Sequence, residues 1–298
     1  MRRLVESGHD VVALVRQPER AGDLRAIGVR SEPGDITDRA SVDRAMRGAE
    51  GIFHCAAWYR IGARGREQAN RINVEGTRNV LEAMRDLGVA KGVYTSTVAV
   101  FGDTHGRVVD ETYRASGQFA SEYDRTKYLA HYEVAEPLMR EGLPLVIVQP
   151  GVIYGENDHS PMRPVLDAYL RRRLPAIPGG TAYCWAYVED TVDGHVRAMD
   201  RGRPGESYVI AGPPHTLGDA LRVAERVCGI GAPRLEVPPA LLRFAARVTA
   251  LLGQDAEGLR VLAGVTYLAS SAKAERELGW SARPLADGLA RVLPTLLP

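Results

Sequence analysis

The sequence is poor in cysteine: Cys55, Cys184 and Cys228 are the three in 298 residues. Their wide, unpatterned spacing gives neither a disulfide framework nor a zinc motif, and no metal site is expected. It also lacks charge of one sign, with 38 Lys plus Arg against 37 Asp plus Glu. A net charge of +1 leaves no electrostatic footprint for nucleic acid or an anionic membrane. No apolar run approaches the roughly 18 residues that span a bilayer, and Met1–Asp10 is too charged for a secretory signal. A soluble cytoplasmic protein without a nucleic-acid or membrane partner is therefore expected. Lysine is nearly missing as well: Lys91, Lys127 and Lys273 stand in a chain whose other basic residues are arginines. Each of them invites the question of what a compact ammonium does that a guanidinium fork cannot. Neither G-x-G-x-x-G nor G-x-x-G-x-x-G occurs anywhere.

What is present is ordinary globular composition, 45% apolar and 25% charged, which excludes a disordered or fibrous chain. Short β-branched runs at Asp10–Arg16, Gly51–Ala57, Gly92–Val98 and Pro144–Gln149 read as buried parallel strands. Helical patterns lie between them at Ala40–Arg47, Glu67–Leu87 and Ser121–Glu141, with Gly88 and Gly142 placed as C-terminal caps. That alternation predicts an α/β fold with a doubly wound parallel sheet. After Pro150 the rhythm changes. A helix at Pro164–Arg173 precedes a strand at Tyr183–Val188, a helix at Asp190–Arg201 and a strand at Ser207–Ala211. Helices at Pro238–Leu252 and Ala272–Leu278 follow. The expected organisation is a nucleotide-binding domain over 1–155, with 182–212 partly returning to it. A smaller, mostly helical substrate lobe takes 156–181 and 213–298. Met1–Ser7 reads as the end of a helix feeding the second strand of such a unit, so a first strand and a glycine-rich turn are expected to precede it.

Two groups of residues carry chemistry. Tyr123 and Lys127 lie four apart on a predicted helix and face the same way. A cation beside a phenol favours the phenolate, which suits a proton donor or acceptor; a solvated surface pair has the same spacing. Thr95-Ser96-Thr97 ends a predicted strand, where hydroxyls can donate to a carbonyl oxygen in the crevice or simply cap a turn.

In order along the chain come Gly34-Asp35-Ile36-Thr37-Asp38, Phe53-His54-Cys55-Ala56-Ala57 and Asn73-Val74-Glu75-Gly76-Thr77. Thr95-Ser96-Thr97-Val98 with Phe101-Gly102, and Tyr123 with Lys127, come next. Gln149-Pro150-Gly151-Val152-Ile153-Tyr154-Gly155, Tyr187-Val188-Glu189-Asp190, Ser271-Ala272-Lys273-Ala274 and Leu278-Gly279-Trp280 complete the series. In this order and spacing the sequence resembles the extended short-chain dehydrogenases/reductases, the NAD(P)-dependent epimerase/dehydratase group, nearest its dihydroflavonol-reductase-like branch. The resemblance implies a Rossmann-like fold. It implies Tyr123 as general acid/base, Lys127 as the group that holds the nicotinamide ribose and tunes Tyr123, and Thr97 at the position where the family has serine. Asp35 and Ile36 would contact adenine, Ala56 and Ala57 would line the ribose and phosphate path, and Pro150 and Val152 would pass the nicotinamide. Asn73 would support the site, His54 would be structural, and a homodimer through 67–87 and 121–141 would be usual.

Cofactor choice turns on Arg16, which ends the predicted second strand where an acidic residue would bind the ribose hydroxyls and repel a 2′-phosphate. NADP is expected, with NAD the alternative and an ordinary exposed arginine the bland explanation. Ser96, Trp58, Tyr154 and Trp185, with Tyr59 and Tyr183, are candidates to meet a ring-bearing substrate or else pack the second lobe. Arg171-Arg172-Arg173 could grip a diphosphate or end a helix in solvent. The expected function is an NAD(P)-dependent oxidoreductase interconverting a carbonyl and an alcohol on a ring-containing small molecule. The alternatives are a nucleotide-sugar epimerase/dehydratase and a non-catalytic cofactor-binding protein or fragment.

Overall fold

In a computed structural model describing residues 1–60, 65–115, 117–156, 158 and 160–296, the apolar runs become parallel strands. Helix α1 (Arg2–Glu6) leads into β1 (Val12–Val15), which pairs in parallel with β2 (Arg30–Pro33). Helix α2 (Arg39–Met46) starts at Asp38, whose carboxylate accepts from the Ala40 amide, a standard N-terminal cap. Strands β3 (Gly51–His54), β4 (Lys91–Thr95) and β5 (Leu145–Pro150) follow, connected by helical stretches α3 (66–86) and α4 (122–140). Gly88 and Gly142 end these helices at φ of 65° and 98°, as their spacing predicts.

β6 (Val152–Tyr154), α5 (Met162–Leu170), β7 (Ala182–Tyr187), α6 (Val188–Arg201) and β8 (Ser207–Ile210) come next. The main sheet runs β3-β4-β5-β8, all parallel. One face packs Tyr94, Leu145 and Ile147 against Val80, Leu81, Ala130 and Val134 of α3 and α4. The other packs Val93, Val146 and Val148 against Ala198 of α6 and the C-terminal Ala274, Leu278 and Trp280. Helices on both faces make the sheet doubly wound, a Rossmann-like arrangement.

The strand pair β1–β2 forms its own sheet, and among the described residues no ladder joins it to β3. Side chains do that work instead. Leu14 of β1, Ile36 and Ile52 of β3 pack on one cluster with Val42, Met46 and Met84.

The second lobe is built on a small mixed sheet as well as helices. β9 (Pro214–Thr216) and β10 (Thr266–Tyr267) flank β7, and β6 also pairs with β7. Helices α7 (Leu217–Cys228), α8 (Pro239–Leu251) and α10 (Leu285–Leu296) complete it, while α9 (Ala272–Leu278) packs back on the main sheet. The two packing units therefore interleave in sequence after residue 182. The chain passes between them at Gly151, where a Cβ would lie 2.1 Å from the Cys184 carbonyl oxygen, so no larger residue fits.

The three lysines share one task. Lys91 donates to the Gly202 carbonyl at 2.7 Å, Lys127 to Thr95 at 2.8 Å and Lys273 to Ser207 at 2.8 Å. In each case a compact ammonium ties a side chain to backbone at or beside the main sheet.

Candidate active site

Helix α4 begins at Ser121, whose hydroxyl accepts from the Asp124 amide at 3.1 Å. That cap fixes the rotation of the helix, and Tyr123, Lys127 and His131 then project from successive turns towards the carboxyl end of β4. Each grips a different residue there. The Tyr123 hydroxyl faces the Thr97 side chain, Lys127 donates to the Thr95 carbonyl and to the Tyr94 hydroxyl at 3.0 Å, and the His131 ring meets Ser96. The Ser96 Oγ to His131 Nδ1 distance is 2.8 Å, and His131 Nε2 faces Glu136 at 3.7 Å. Ser96 thus spends its hydroxyl inside the protein, and Thr97 is the hydroxyl that reaches Tyr123.

Electrostatics at the pair differ from the sequence expectation. Burial, reinforced by the neighbouring Tyr59, pushes the Tyr123 phenol above the usual range, and the nearby Thr97 hydroxyl pulls it back only in part. Burial also lowers the Lys127 ammonium to about 7, because an ion in a dry site loses its hydration. The lysine is thereby a less strongly favoured cation beside the phenol than an exposed lysine would be. Tyr59 lies on Tyr123 with ring centroids 4.4 Å apart and itself remains exposed.

Asn73 holds this constellation together. Its amide accepts from the Trp58 backbone N–H at 2.7 Å and donates to the Trp58 carbonyl at 3.0 Å and to Thr126 Oγ1 at 2.9 Å. Asn73 is buried, so Asn73→Leu leaves those groups unmatched in a dry interior. We expect a loss of about 2–3 kcal/mol, read as a lower denaturant midpoint with an unchanged slope. A midpoint within error of wild type would contradict that role.

Of the candidate substrate contacts, Trp58, Tyr154 and Trp185 are packed inside rather than facing an opening. Tyr154 and Trp185 meet edge to face at 5.8 Å, and the Tyr154 hydroxyl lies against Gly288. Tyr183 stacks on Tyr267 at 6.0 Å, within the lobe core. Tyr59 is the aromatic that covers the phenol.

The cofactor-side candidates surround the carboxyl ends of the strands. Arg16 is exposed just past β1, and Ala56 and Ala57 are exposed just past β3. Asp35 closes a tight turn, accepting from the Thr37 N–H and hydroxyl at 2.9 Å each. Ile36 packs on Gly76, where a Cβ would lie 2.7 Å from its Cδ1. Pro150 ends β5 and Val152 opens β6. His54 stacks on Tyr94 at 5.3 Å and bonds Thr77 at 2.9 Å, a structural position.

Three groups escaped sequence reasoning. His131 could have been found, since it continues the i, i+4 face of Tyr123 and Lys127. A chain from the exposed Cys55 through Thr95 to His195 could not, because it joins strand ends to a distant helix. His195 Nδ1 must donate to the Thr191 carbonyl at 2.8 Å, so its Nε2 accepts from Thr95. Asp124, raised to about 6 by burial, takes a hydrogen bond from the Tyr267 hydroxyl at 2.8 Å.

With this geometry in place, comparison with known proteins is decisive for the class. The NAD dependent epimerase/dehydratase family profile matches residues 1–211, and the chain belongs to that family. It is similar to a provisionally named dihydroflavonol 4-reductase of Synechocystis sp., 32% identical across 97% of this chain and 88% of that protein. A 4-hydroxy-2-methyl-3-oxo-4-farnesyl-3,4-dihydroquinoline-1-oxide ketoreductase of Stigmatella aurantiaca is 32% identical across 94% and 87%. Among solved structures, gox2253 superposes with a TM-score of 0.88 at 30% identity, covering 98% of this chain and 92% of that one. The family-level class is an NAD(P)-dependent oxidoreductase, epimerase or dehydratase. No helix among the described residues is long and apolar enough to cross a membrane.

Proposed function

We propose that this chain is an NADP-linked reductase that interconverts a ketone and an alcohol on a ring-containing small molecule. The observation that carries the reading is the Tyr123–Thr97 hydroxyl pair at the end of β4, with the Lys127 ammonium behind it. Both hydroxyls can donate to one carbonyl oxygen, and Tyr123 can deliver the proton that turns it into an alcohol. Thr97 polarises that oxygen, and Tyr59 over the phenol keeps water from the transfer. The nicotinamide, when bound, supplies or receives the hydride.

The residues present fit such a cofactor at both ends. Lys127 donates two hydrogen bonds within the protein and has a third proton for a ribose hydroxyl. At the far end the Asp35–Ile36 turn and the exposed Arg16 suit adenine and a 2′-phosphate. Between them the exposed Ala56–Ala57 backbone lines the path. The ketoreductase and reductase names of the two relatives support a carbonyl substrate on a ring system.

The test is net consumption of NADPH with a panel of cyclic ketones, in wild type and Arg16→Glu. Wild type should oxidise NADPH in step with alcohol formation. Arg16→Glu should shift preference towards NADH by on the order of tenfold, through repulsion of the 2′-phosphate. Retention of tightly held NAD with sugar-nucleotide turnover and no net NADPH loss would replace this reading with an epimerase or dehydratase.

A further inference from the structure

Helix α8 (Pro239–Leu251) has an unusual surface. Ala246 is its one buried residue, while Phe244 is 64% and Leu251 87% exposed. Leu241, Phe244, Val248, Leu251 and the following Leu252 are all exposed, and their spacing places them on one stripe. From Leu241 to Leu251 that stripe runs about 15 Å. Scattered exposed leucines need no explanation, but a continuous apolar ridge marks a contact surface.

Charge decides what the contact is with. From Pro238 to Gln254 the sequence contains no Asp or Glu, and its charges are Arg243 and Arg247, both on one flank of the stripe. We propose that α8 docks this chain onto the surface of an anionic lipid bilayer. The apolar ridge sinks to the level of the upper acyl chains, and the arginine stems lie along it with their guanidinium groups at the phosphates. A second copy of the chain fits less well. The ridge of a second copy carries no carboxylate that could pair with Arg243 and Arg247.

The asymmetry is confined to the helix, with Glu236 and Asp255 standing just beyond its two ends. Docking also sets the lipid surface beside a cavity of about 530 Å³. That cavity is lined by Arg243 and Arg247 at one side and reaches Phe101 and Gly102 on the loop after Thr97. The inference stands on surface chemistry and does not depend on the reductase reading.

Vesicle flotation of the full chain tests it, with phosphatidylcholine alone and with roughly one part phosphatidylglycerol in three. Wild type should rise with the anionic vesicles about tenfold more than with neutral ones, and less so as salt is raised. Leu241→Glu/Phe244→Glu/Leu251→Glu should stay at the bottom of both gradients with an unchanged melting temperature, since these side chains are exposed. Arg247→Gln should reduce the preference for anionic lipid while keeping the fold. The proposal is overturned if wild type floats with neither vesicle, or if the triple variant floats as wild type does. It is likewise overturned if light scattering finds a stable dimer that the triple variant dissolves while vesicles capture nothing.

Discussion

Tyr123→Phe should lower turnover about 10³-fold while leaving the dissociation constant for NADPH within about twofold of wild type. The change removes one oxygen. The ring stays packed under Tyr59, and Lys127 keeps its bonds to Tyr94 and Thr95, so the cofactor side of the site is untouched. On the proposed mechanism, what disappears is the group that hands a proton to the substrate oxygen, leaving Thr97 as a lone donor. Such a split, a large effect on the rate constant with little on binding, separates a proton donor from a residue that merely shapes the pocket. Equal losses in binding and turnover would assign Tyr123 a structural role. Unchanged turnover would remove it from the chemistry.

Lys127→Met should do two opposite things: cut turnover by about 10²-fold or more, and stabilise the fold. The sign follows from proton binding. Burial holds the folded ammonium at about 7, against roughly 10.4 in an unfolded chain. Between those values the unfolded chain binds more protons, so wild-type stability rises as pH climbs through that window and is lowest below it. Methionine fills the same space without an ion to desolvate. Its advantage should therefore be largest near pH 6, roughly 5 °C in melting temperature, and fade by about pH 10. A variant that melts below wild type at pH 6 would show that the bonds to Tyr94 and Thr95 outweigh the cost of burying the charge.

The sequence made α4 legible because several local signals agreed. Ser121 caps the helix, Gly142 follows its end, and Tyr123 and Lys127 share a face. The strands at 92–98 and 144–149 were legible for a similar reason, being short apolar runs that form buried strands, whereas the run at 51–57 is a strand only to His54 and is exposed from Cys55 to Ala57. The resemblance to the family, whose serine stands five residues before the position of Gly102, singled out Thr97 over Ser96. The structure supplies the physical reason, since Ser96 points to His131 inside α4 while Thr97 points to the phenol.

What stayed hidden depends on which side of an element meets which neighbour. Trp58, Tyr154 and Trp185 look like substrate contacts in a sequence because aromatic side chains serve cores and pockets alike. Their burial is decided by β6 and β7 pairing and by α10 crossing over Tyr154. The helix expected at Pro238–Leu252 forms, but the sequence does not say which face it buries, and most of its apolar residues are exposed. β1 is legible in the run at 10–16, whereas β2, with the polar sequence Arg30-Ser31-Glu32-Pro33, is not; among the described residues no ladder joins the pair to β3, and side chains pack between them.

The claim at the centre of this account is that Tyr123, Thr97 and Lys127 assemble around a substrate carbonyl next to a nicotinamide. Deuterium labelling tests it most directly: the wild-type chain, NADPH carrying deuterium at both positions of nicotinamide C4, and a cyclic ketone, with the product analysed by mass spectrometry. The account predicts an alcohol one mass unit heavier, with the label on the carbinol carbon, and almost none from Tyr123→Phe. An unlabelled product, or label transfer that Tyr123→Phe leaves intact, would contradict it.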